Sequence, residues 1–196
     1  MELEPLDLRR SVLVVWDMQN GIAGRAFNRD EMVPRVARLL AAYRARNLPV
    51  LYSQHTTLPK GWGNPAMDRS MVRRGRSPDA FRLVPGTPEW EILAELGPRP
   101  EEPVLAKHSP SFFVETPLEA MLRFRHLETV VLTGVSTDGG ILGSARHAVN
   151  LGFHPLVVED AVGSMSPEGQ LQGLRALREL CDVETTAAVV ARLPPE

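Results

Sequence analysis

Short apolar runs alternate along the chain with longer stretches in which apolar and polar residues are mixed. The short runs are four to six residues long and rich in valine and leucine. Such runs are typical of parallel strands that are covered on both faces. The predicted strands are Ser11–Trp16, Pro49–Ser53, Pro103–Ala106, Thr129–Thr133 and His154–Val158, followed by a short sixth strand at Val183–Thr186.

The stretches between the strands show helical periodicity. Apolar residues recur every three or four positions over Asp30–Arg46, with Asp30 as the predicted N-cap. Further helices are predicted from the turn Gly134–Gly140 to Leu151, where Gly152 ends the helix, over Pro167–Leu180, and as a short element over Glu89–Leu96. This alternation predicts an α/β fold of three layers, α/β/α, with an open, doubly wound, Rossmann-like parallel sheet of about six strands. One domain over residues 1–196 is the simplest organisation.

The segment from Thr57 to Pro88 differs from the rest of the chain because proline and glycine recur through it. Residues of this kind interrupt regular elements, so we predict a long excursion rather than a packed element. Long loops of compact domains are commonly functional. Four arginines of this loop could bind an acidic substrate. The alternative is that these side chains are only exposed to solvent. They are Arg69, Arg73, Arg74 and Arg76.

The charge and composition narrow the class of partner. The formal net charge is −2, and acidic and basic residues are interspersed, so nothing would attract nucleic acid or an anionic membrane. A small-molecule substrate is therefore the predicted partner. The apolar runs are shorter than the roughly 20 residues of a membrane helix, and the N-terminus has no signal-peptide pattern, which predicts a cytoplasmic protein. A single cysteine, Cys181, excludes an internal disulfide and a cysteine-based zinc site.

Polar residues follow four of the predicted strands. Asp17 follows the first, His55 the second and Lys107 the third, and the turn Ser136–Gly140 follows the fourth. Because ligands of open α/β sheets bind outside the carboxyl ends of the strands, these residues are predicted to meet in one crevice. A carboxylate beside a lysine can act as a general base or, in an apolar pocket, as a general acid. The amides at the start of the following helix can hold a substrate carboxylate or an oxyanion.

Three segments resemble, in this order, the motifs of the isochorismatase-like hydrolases, also called the cysteine hydrolase superfamily. They are Val14-Val-Trp-Asp-Met-Gln-Asn20, Lys107-His-Ser-Pro-Ser-Phe-Phe113 and Val131-Leu-Thr-Gly-Val-Ser-Thr-Asp-Gly-Gly-Ile141. The resemblance extends over about residues 11–193. It implies an isochorismatase-like fold, hydrolase activity, a cis peptide between Val135 and Ser136, and a homodimer or homotetramer.

Most members of this superfamily use an aspartate, a lysine and a cysteine nucleophile. By resemblance, Asp17 and Lys107 take the first two positions, and the cysteine position falls on Gly140. Cys181 lies at the end of the last long predicted helix, away from that turn, and is predicted to be a buried structural thiol. Isochorismatases also have glycine at this position and hydrolyse a vinyl ether to pyruvate without a covalent intermediate. The resemblance thus implies Asp17 as the general acid and Lys107 as its electrostatic partner.

The resemblance and the polar residues that follow the strands also predict which residues contact the substrate. These are His55, Val135, Ser136, Gly139 and Phe113. Isochorismatases have glutamine where this chain has His55 and tyrosine where it has Ser136, so the identity of the substrate stays open. No second histidine lies near His55 in the sequence, and neither a metal nor another cofactor is predicted. Three hypotheses follow: a hydrolase of a carboxylated vinyl ether, an amidohydrolase that uses water activated by Asp17, and a non-catalytic small-molecule-binding protein.

Overall fold

The computed structural model describes residues 4–195, and the predicted domain of residues 1–196 includes terminal positions outside that range. Within residues 4–195 there are six strands: β1 (Ser11–Trp16), β2 (Val50–His55), β3 (Val104–Lys107), β4 (Thr129–Val135), β5 (His154–Gly163) and β6 (Asp182–Glu184). They form one parallel sheet in the order β3-β2-β1-β4-β5-β6. The predicted open parallel sheet of about six strands is confirmed, and β5 is longer than predicted.

Seven α-helices within the same residues accompany the sheet. They are α1 (Asn20–Ala23), α2 (Arg29–Ala45), α3 (Pro65–Arg73), α4 (Leu118–Phe124), α5 (Leu142–Asn150), α6 (Pro167–Arg178) and α7 (Thr186–Arg192). Buried residues of α2 and α7 belong to one hydrophobic core, and those of α4, α5 and α6 belong to another. The helices therefore cover both faces of the sheet, which confirms the three-layer fold. None of the helices in the described range is long and apolar enough to cross a membrane.

Strand β1 lies in the middle of the sheet, and all six of its residues are buried. Its side chains alternate between the two cores, with Leu13 and Val15 in the core under α2 and Val12, Val14 and Trp16 in the other. The winding of the chain reverses beside β1, because this strand pairs with β2 on one side and with β4 on the other. The carboxyl ends of β1 and β4 consequently border the crevice in which sheets of this class bind ligands.

The helix boundaries correct the predictions at several places. α2 begins at Arg29, so Asp30 lies in its first turn and Asn28 takes the N-cap position. Only a 3₁₀ turn over Ala94–Leu96 forms where the sequence predicts a short helix. Thr186, predicted as the end of the sixth strand, begins α7, because the Thr185 side chain accepts a hydrogen bond from the Ala188 amide and caps that helix. Helix α4 has no counterpart among the predictions.

The loop from residue 57 to residue 88 contains a helix that the sequence analysis does not predict. α3 starts where the Asn64 side chain accepts hydrogen bonds from the amides of Ala66 and Met67, with Pro65 in the first helical position. Asparagine and proline favour the start of a helix at these two positions, so residues that usually form turns begin an element here. No residue of α3 is buried, which means that the helix lies on the surface.

Candidate active site

A buried ion pair lies at the carboxyl ends of the central strands. Asp17 directly follows β1, Lys107 ends β3, and the Lys107 Nζ lies 2.6 Å from the Asp17 Oδ2. The two side chains are only 3% and 6% exposed. Since β2 lies between β1 and β3, the lysine side chain reaches across one strand to meet the aspartate. A charge-assisted hydrogen bond of this length, shielded from water, is a strong one.

Ser53 on β2 orients the second oxygen of Asp17. The Ser53 Oγ donates a hydrogen bond to the Asp17 Oδ1 at 2.6 Å and accepts one from the Asp17 amide at 3.0 Å. The backbone of Asp17 has φ +43°, in the left-handed region that residues other than glycine seldom adopt. Such a conformation persists only where the surroundings enforce it. The contacts with Ser53 and Lys107 enforce it here, and each carboxylate oxygen accepts one short hydrogen bond.

The indole ring of Trp16 lies directly against Gly140. A Cβ atom at residue 140 would lie 2.5 Å from the indole Nε1 and 2.8 Å from the Cε2 and Cζ2. The ring of Phe112 meets the indole edge-on, with 5.3 Å between centroids, and the Lys107 Nζ lies 4.6 Å from the indole centroid. These contacts hold the ring in place. The space that a side chain at residue 140 would need is therefore filled by tryptophan.

Alanine in place of Gly140 is expected to lower the free energy of unfolding by about 1–3 kcal/mol, because overpacking forces buried side chains out of their preferred rotamers. Gly63→Ala is the matched control, since a Cβ atom at Gly63 meets nothing within 4 Å. Urea-induced unfolding of the two variants and the wild type measures the difference. Equal stability of both variants would show that the Trp16 ring yields to residue 140 without strain.

His55, the last residue of β2, borders the same ion pair. The Gln19 side chain holds its backbone: the Oε1 accepts a hydrogen bond from the His55 amide at 2.8 Å, and the Nε2 donates one to the His55 carbonyl at 3.0 Å. Burial, reinforced by the positive charge of Lys107, lowers the pKa of His55 from 6.5 to about 4. His55 is therefore neutral at neutral pH and offers one hydrogen-bond donor and one acceptor.

The low pKa of His55 predicts a loss of stability in acid. The unfolded chain takes up the imidazole proton near pH 6.5, but the folded protein does so only near pH 4. The free energy of unfolding therefore falls as the pH drops through this window, by at most about 1.4 kcal/mol per pH unit. His55→Gln is expected to remove this component, whereas His154→Gln, at an exposed histidine, is expected to keep it. Denaturant unfolding across the window measures the difference, and parallel curves for wild type and His55→Gln would refute the prediction.

A cavity of about 190 Å³ is lined by the ion pair. Its apolar wall contains methionines from two directions, Met67 and Met71 of α3 and Met165 beyond the end of β5. Arg74 and Arg76, which follow α3, line the same cavity. The 57–88 loop thus supplies both apolar and cationic groups to the cavity.

The structure brings most of the predicted site residues together. Asp17, His55, Lys107, Val135, Ser136, Gly139 and Gly140 all line the cavity. The peptide between Val135 and Ser136 is cis, as the resemblance implies. Phe113 is placed elsewhere: its ring stacks on Phe153 with 5.8 Å between centroids, and the preceding residue, Phe112, is the one that contacts Trp16. Of the four arginines of the loop, Arg74 and Arg76 reach this cavity.

A second cavity of about 320 Å³ adjoins the first, and both are lined by His55, Met67 and Met71. Its other lining residues are mostly polar and belong to the 57–88 loop. His108, which the sequence places next to Lys107, lines this second cavity, with its Nδ1 2.7 Å from the Thr56 carbonyl oxygen. The larger cavity is thus a polar extension of the one that contains the ion pair.

The remaining candidate groups lie outside this site. The Cys181 thiol is half-buried beside β6, its Sγ lies 3.5 Å from the Leu177 carbonyl oxygen, and burial raises its pKa to about 12. Such a thiol is a poor nucleophile, in keeping with a structural role. Among the residues that the structure describes, no group of three or more His, Cys, Asp or Glu side chains is arranged to hold a metal ion.

The site residues that do not follow from the sequence alone include Trp16, Ser53 and Met165. Ser53 has a weak signal, since it is a hydroxyl within an apolar strand. Trp16 is the last residue of an apolar run and has the pattern of a core residue. Met165 follows β5, and only the tertiary fold brings it to the cavity.

Comparisons with known proteins agree with the fold and the motifs. The isochorismatase domain family matches residues 11–188. The uncharacterized isochorismatase family protein YecD of Escherichia coli O157:H7 is 32% identical over 83% of this chain and 85% of its own length. The ureidoacrylate amidohydrolase RutB of Methylorubrum extorquens is 30% identical over 90% of this chain and 79% of its own. The solved structure of an isochorismatase family protein from Burkholderia thailandensis has a TM-score of 0.80 and 32% identity, over 94% of this chain and 96% of that chain. The matched residues include all six strands and the Asp17–Lys107 pair, and the chain belongs to the isochorismatase family of hydrolases.

Proposed function

We propose that this hydrolase cleaves a small carboxylated substrate with Asp17 as its acid–base group and without a covalent enzyme intermediate. The observation that carries the proposal is the packing of Trp16 against Gly140, with 2.5 Å between the indole Nε1 and the position of a Cβ atom. This packing leaves no room for a nucleophilic side chain at residue 140. Water is then the nucleophile, and the Asp17–Lys107 pair transfers the protons.

Vinyl ether hydrolysis is the reaction that we assign to this pair. Asp17 delivers the proton that it shares with Lys107 to the terminal carbon of the double bond, and the ether carbon becomes an oxocarbenium ion. Water adds to that carbon and returns a proton to the pair. The resulting hemiketal collapses to a ketone and an alcohol, and no bond forms between substrate and protein.

Lys107 makes Asp17 able to act as an acid. At 2.6 Å the proton moves between the Nζ and the Oδ2 with little displacement of either heavy atom. In this role Lys107 supplies the proton, and the Asp17 carboxyl group passes it to the substrate carbon.

The cationic edge of the cavity supports a carboxylated substrate. Arg74 is exposed and Arg76 is half-buried, and both line the cavity that contains Asp17. A guanidinium group can hold a carboxylate with two parallel hydrogen bonds, which fixes its orientation as well as its charge. Arg74 and Arg76 are therefore the groups of the 57–88 loop that we assign to the substrate's negative charge.

Amide hydrolysis is the second candidate, with Asp17 as the base that activates water. Ser53 and Lys107 both donate hydrogen bonds to the Asp17 carboxylate and fix its position, as a base that takes a proton from water requires. A ureidoacrylate amidohydrolase is also among the relatives that are 30% identical. The third candidate is a protein that binds small carboxylates without turnover.

Product release separates the three candidates. The purified protein, with metals chelated, is incubated with isochorismate and separately with ureidoacrylate, and pyruvate and ammonia are quantified. Pyruvate release that depends on Asp17 supports vinyl ether hydrolysis, and ammonia release that depends on Asp17 supports amide hydrolysis. Binding of these acids without any product would overturn the assignment of hydrolysis and favour the third candidate.

A further inference from the structure

Trp16 places an indole N–H where a side chain of residue 140 would otherwise enter the cavity. The Trp16 side chain is 1% exposed, and the ring lines the cavity together with Asp17 and Lys107. Within residues 4–195 the indole N–H has no hydrogen-bond acceptor. The fully buried side-chain polar atoms without a partner in this range are the Asn28 Oδ1 and the Glu184 Oε2. The indole N–H is therefore open to the cavity and unpaired.

In the part of the chain that the structure describes, the polar groups next to this N–H are hydrogen-bonded to other partners. The two oxygens of Asp17 accept hydrogen bonds from Ser53 and Lys107. The Lys107 Nζ also donates to the Ser109 carbonyl oxygen at 3.2 Å. Buried tryptophan N–H groups usually have a partner, so a bound molecule is the natural source of the acceptor.

The surroundings of the ring favour an anionic acceptor. The Lys107 ammonium lies 4.6 Å from the indole centroid, and its charge draws electron density from the ring, which makes the N–H a stronger donor. Phe112 holds the ring edge-on, so that the N–H direction is fixed. Hydrogen bonds to charged acceptors are roughly twice as strong as neutral ones.

We infer that the Trp16 Nε1–H donates a hydrogen bond to a carboxylate carried by the reacting carbon of the substrate. This inference deepens the proposed function, because it narrows the substrate to acids whose carboxylate is attached directly to the carbon that water attacks. The N–H lies at the place from which a nucleophile on residue 140 would approach that carbon, and a carboxylate attached to the carbon is within its reach. This inference makes Trp16 a substrate-binding residue.

Nuclear magnetic resonance tests the inference without requiring turnover. The chain has three tryptophans, so the ¹⁵N-labelled protein shows three indole N–H signals, which Trp16→Phe, Trp62→Phe and Trp90→Phe assign. The probe is pyruvate, a carboxylate attached to a carbonyl carbon, and pyruvamide is its uncharged counterpart. Pyruvate is expected to move the Trp16 signal downfield, and pyruvamide to move it less.

The other two tryptophans are internal controls. Trp62 is 77% exposed, and the Trp90 Nε1 already donates to the Thr56 Oγ1 at 3.0 Å, so neither signal is expected to move with that of Trp16. Trp16→Phe is expected to raise the Kd for pyruvate about tenfold, because it removes one charge-assisted hydrogen bond. Trp62→Phe is expected to leave the Kd unchanged. If Trp16→Phe does not fold, the Trp62 and Trp90 variants still assign the Trp16 signal by elimination.

Three results would overturn the inference: a Trp16 signal that stays in place while pyruvate shifts others, an unchanged Kd in Trp16→Phe, or no binding of pyruvate. Failure of the proposed hydrolysis gives a different pattern. A protein that releases no product from either substrate, yet shifts the Trp16 signal with pyruvate, would contradict the hydrolase and support the binding role of Trp16.

Discussion

Asparagine in place of Asp17 is expected to lower kcat/KM by about 10²–10⁴, the contribution that a positioned acid–base group typically makes. The amide has almost the same shape as the carboxylate and can still accept the hydrogen bond from Ser53, but it cannot transfer a proton. Rates on isochorismate and ureidoacrylate, whichever is turned over, measure the loss. Under vinyl ether hydrolysis and under amide hydrolysis alike, the defect falls on the chemical step.

Glu128→Gln is the matched control for Asp17→Asn. The Glu128 Oε1 lies 2.6 Å from the Arg10 Nη1, the same separation as in the Asp17–Lys107 pair, but both side chains are 47% exposed. Loss of this surface charge is expected to leave kcat/KM unchanged. Ser53→Ala keeps the Asp17 carboxylate but removes one of its donors, and its defect is expected to be smaller than that of Asp17→Asn. Near-normal turnover by Asp17→Asn would exclude this residue as the acid–base group.

Methionine in place of Lys107 is expected to lower the free energy of unfolding by about 3–5 kcal/mol, because it leaves the Asp17 carboxylate buried without its charge partner. Methionine replaces the aliphatic stem of the lysine closely, so the loss reports the charge rather than a cavity. Glu128→Gln, which breaks the exposed pair of equal length, is expected to change stability by less than about 1 kcal/mol. Denaturant unfolding at neutral pH compares the variants.

The double variant Asp17→Asn/Lys107→Met separates stability from catalysis. Neither charge remains in it, so most of the lost stability is expected to return while kcat/KM stays at least as low as in Asp17→Asn. This variant also serves as a folded reference of low activity for the kinetic comparison. Additive losses of stability in the double variant would show that the two side chains do not act as a buried pair.

The sheet and the ion pair follow from features that are local in the sequence. A continuous apolar run that ends in a polar residue predicts a buried strand with a side chain at its carboxyl end, as for Trp16 followed by Asp17. Parallel strands bring their carboxyl ends to one edge, so His55 and Lys107 are predicted to lie beside Asp17 without knowledge of the tertiary contacts. The structure places all three on one cavity.

The positions of the other site residues depend on contacts between distant segments, and the apolar periodicity of the sequence does not predict such contacts. Phe112 and Phe113 are equivalent in the sequence, and the packing of Phe112 on Trp16 decides which of them lies near the ion pair. The contact of Trp16 with Gly140 depends on the pairing of β1 with β4, in which Trp16 is opposite Gly134. Proline and glycine in the 57–88 loop obscure α3, although its cap at Asn64 is a regular one.

Attack by water, rather than by a protein side chain, is the central claim, and turnover in H₂¹⁸O tests it most directly. The protein is allowed many turnovers in labelled water and is then digested with trypsin, and the peptide that spans residues 11–25, which contains Asp17, is weighed by mass spectrometry. Direct attack by water predicts that product accumulates while this peptide keeps its unlabelled mass. Incorporation of ¹⁸O into the peptide during turnover would mean that Asp17 forms a covalent intermediate, and would contradict the claim.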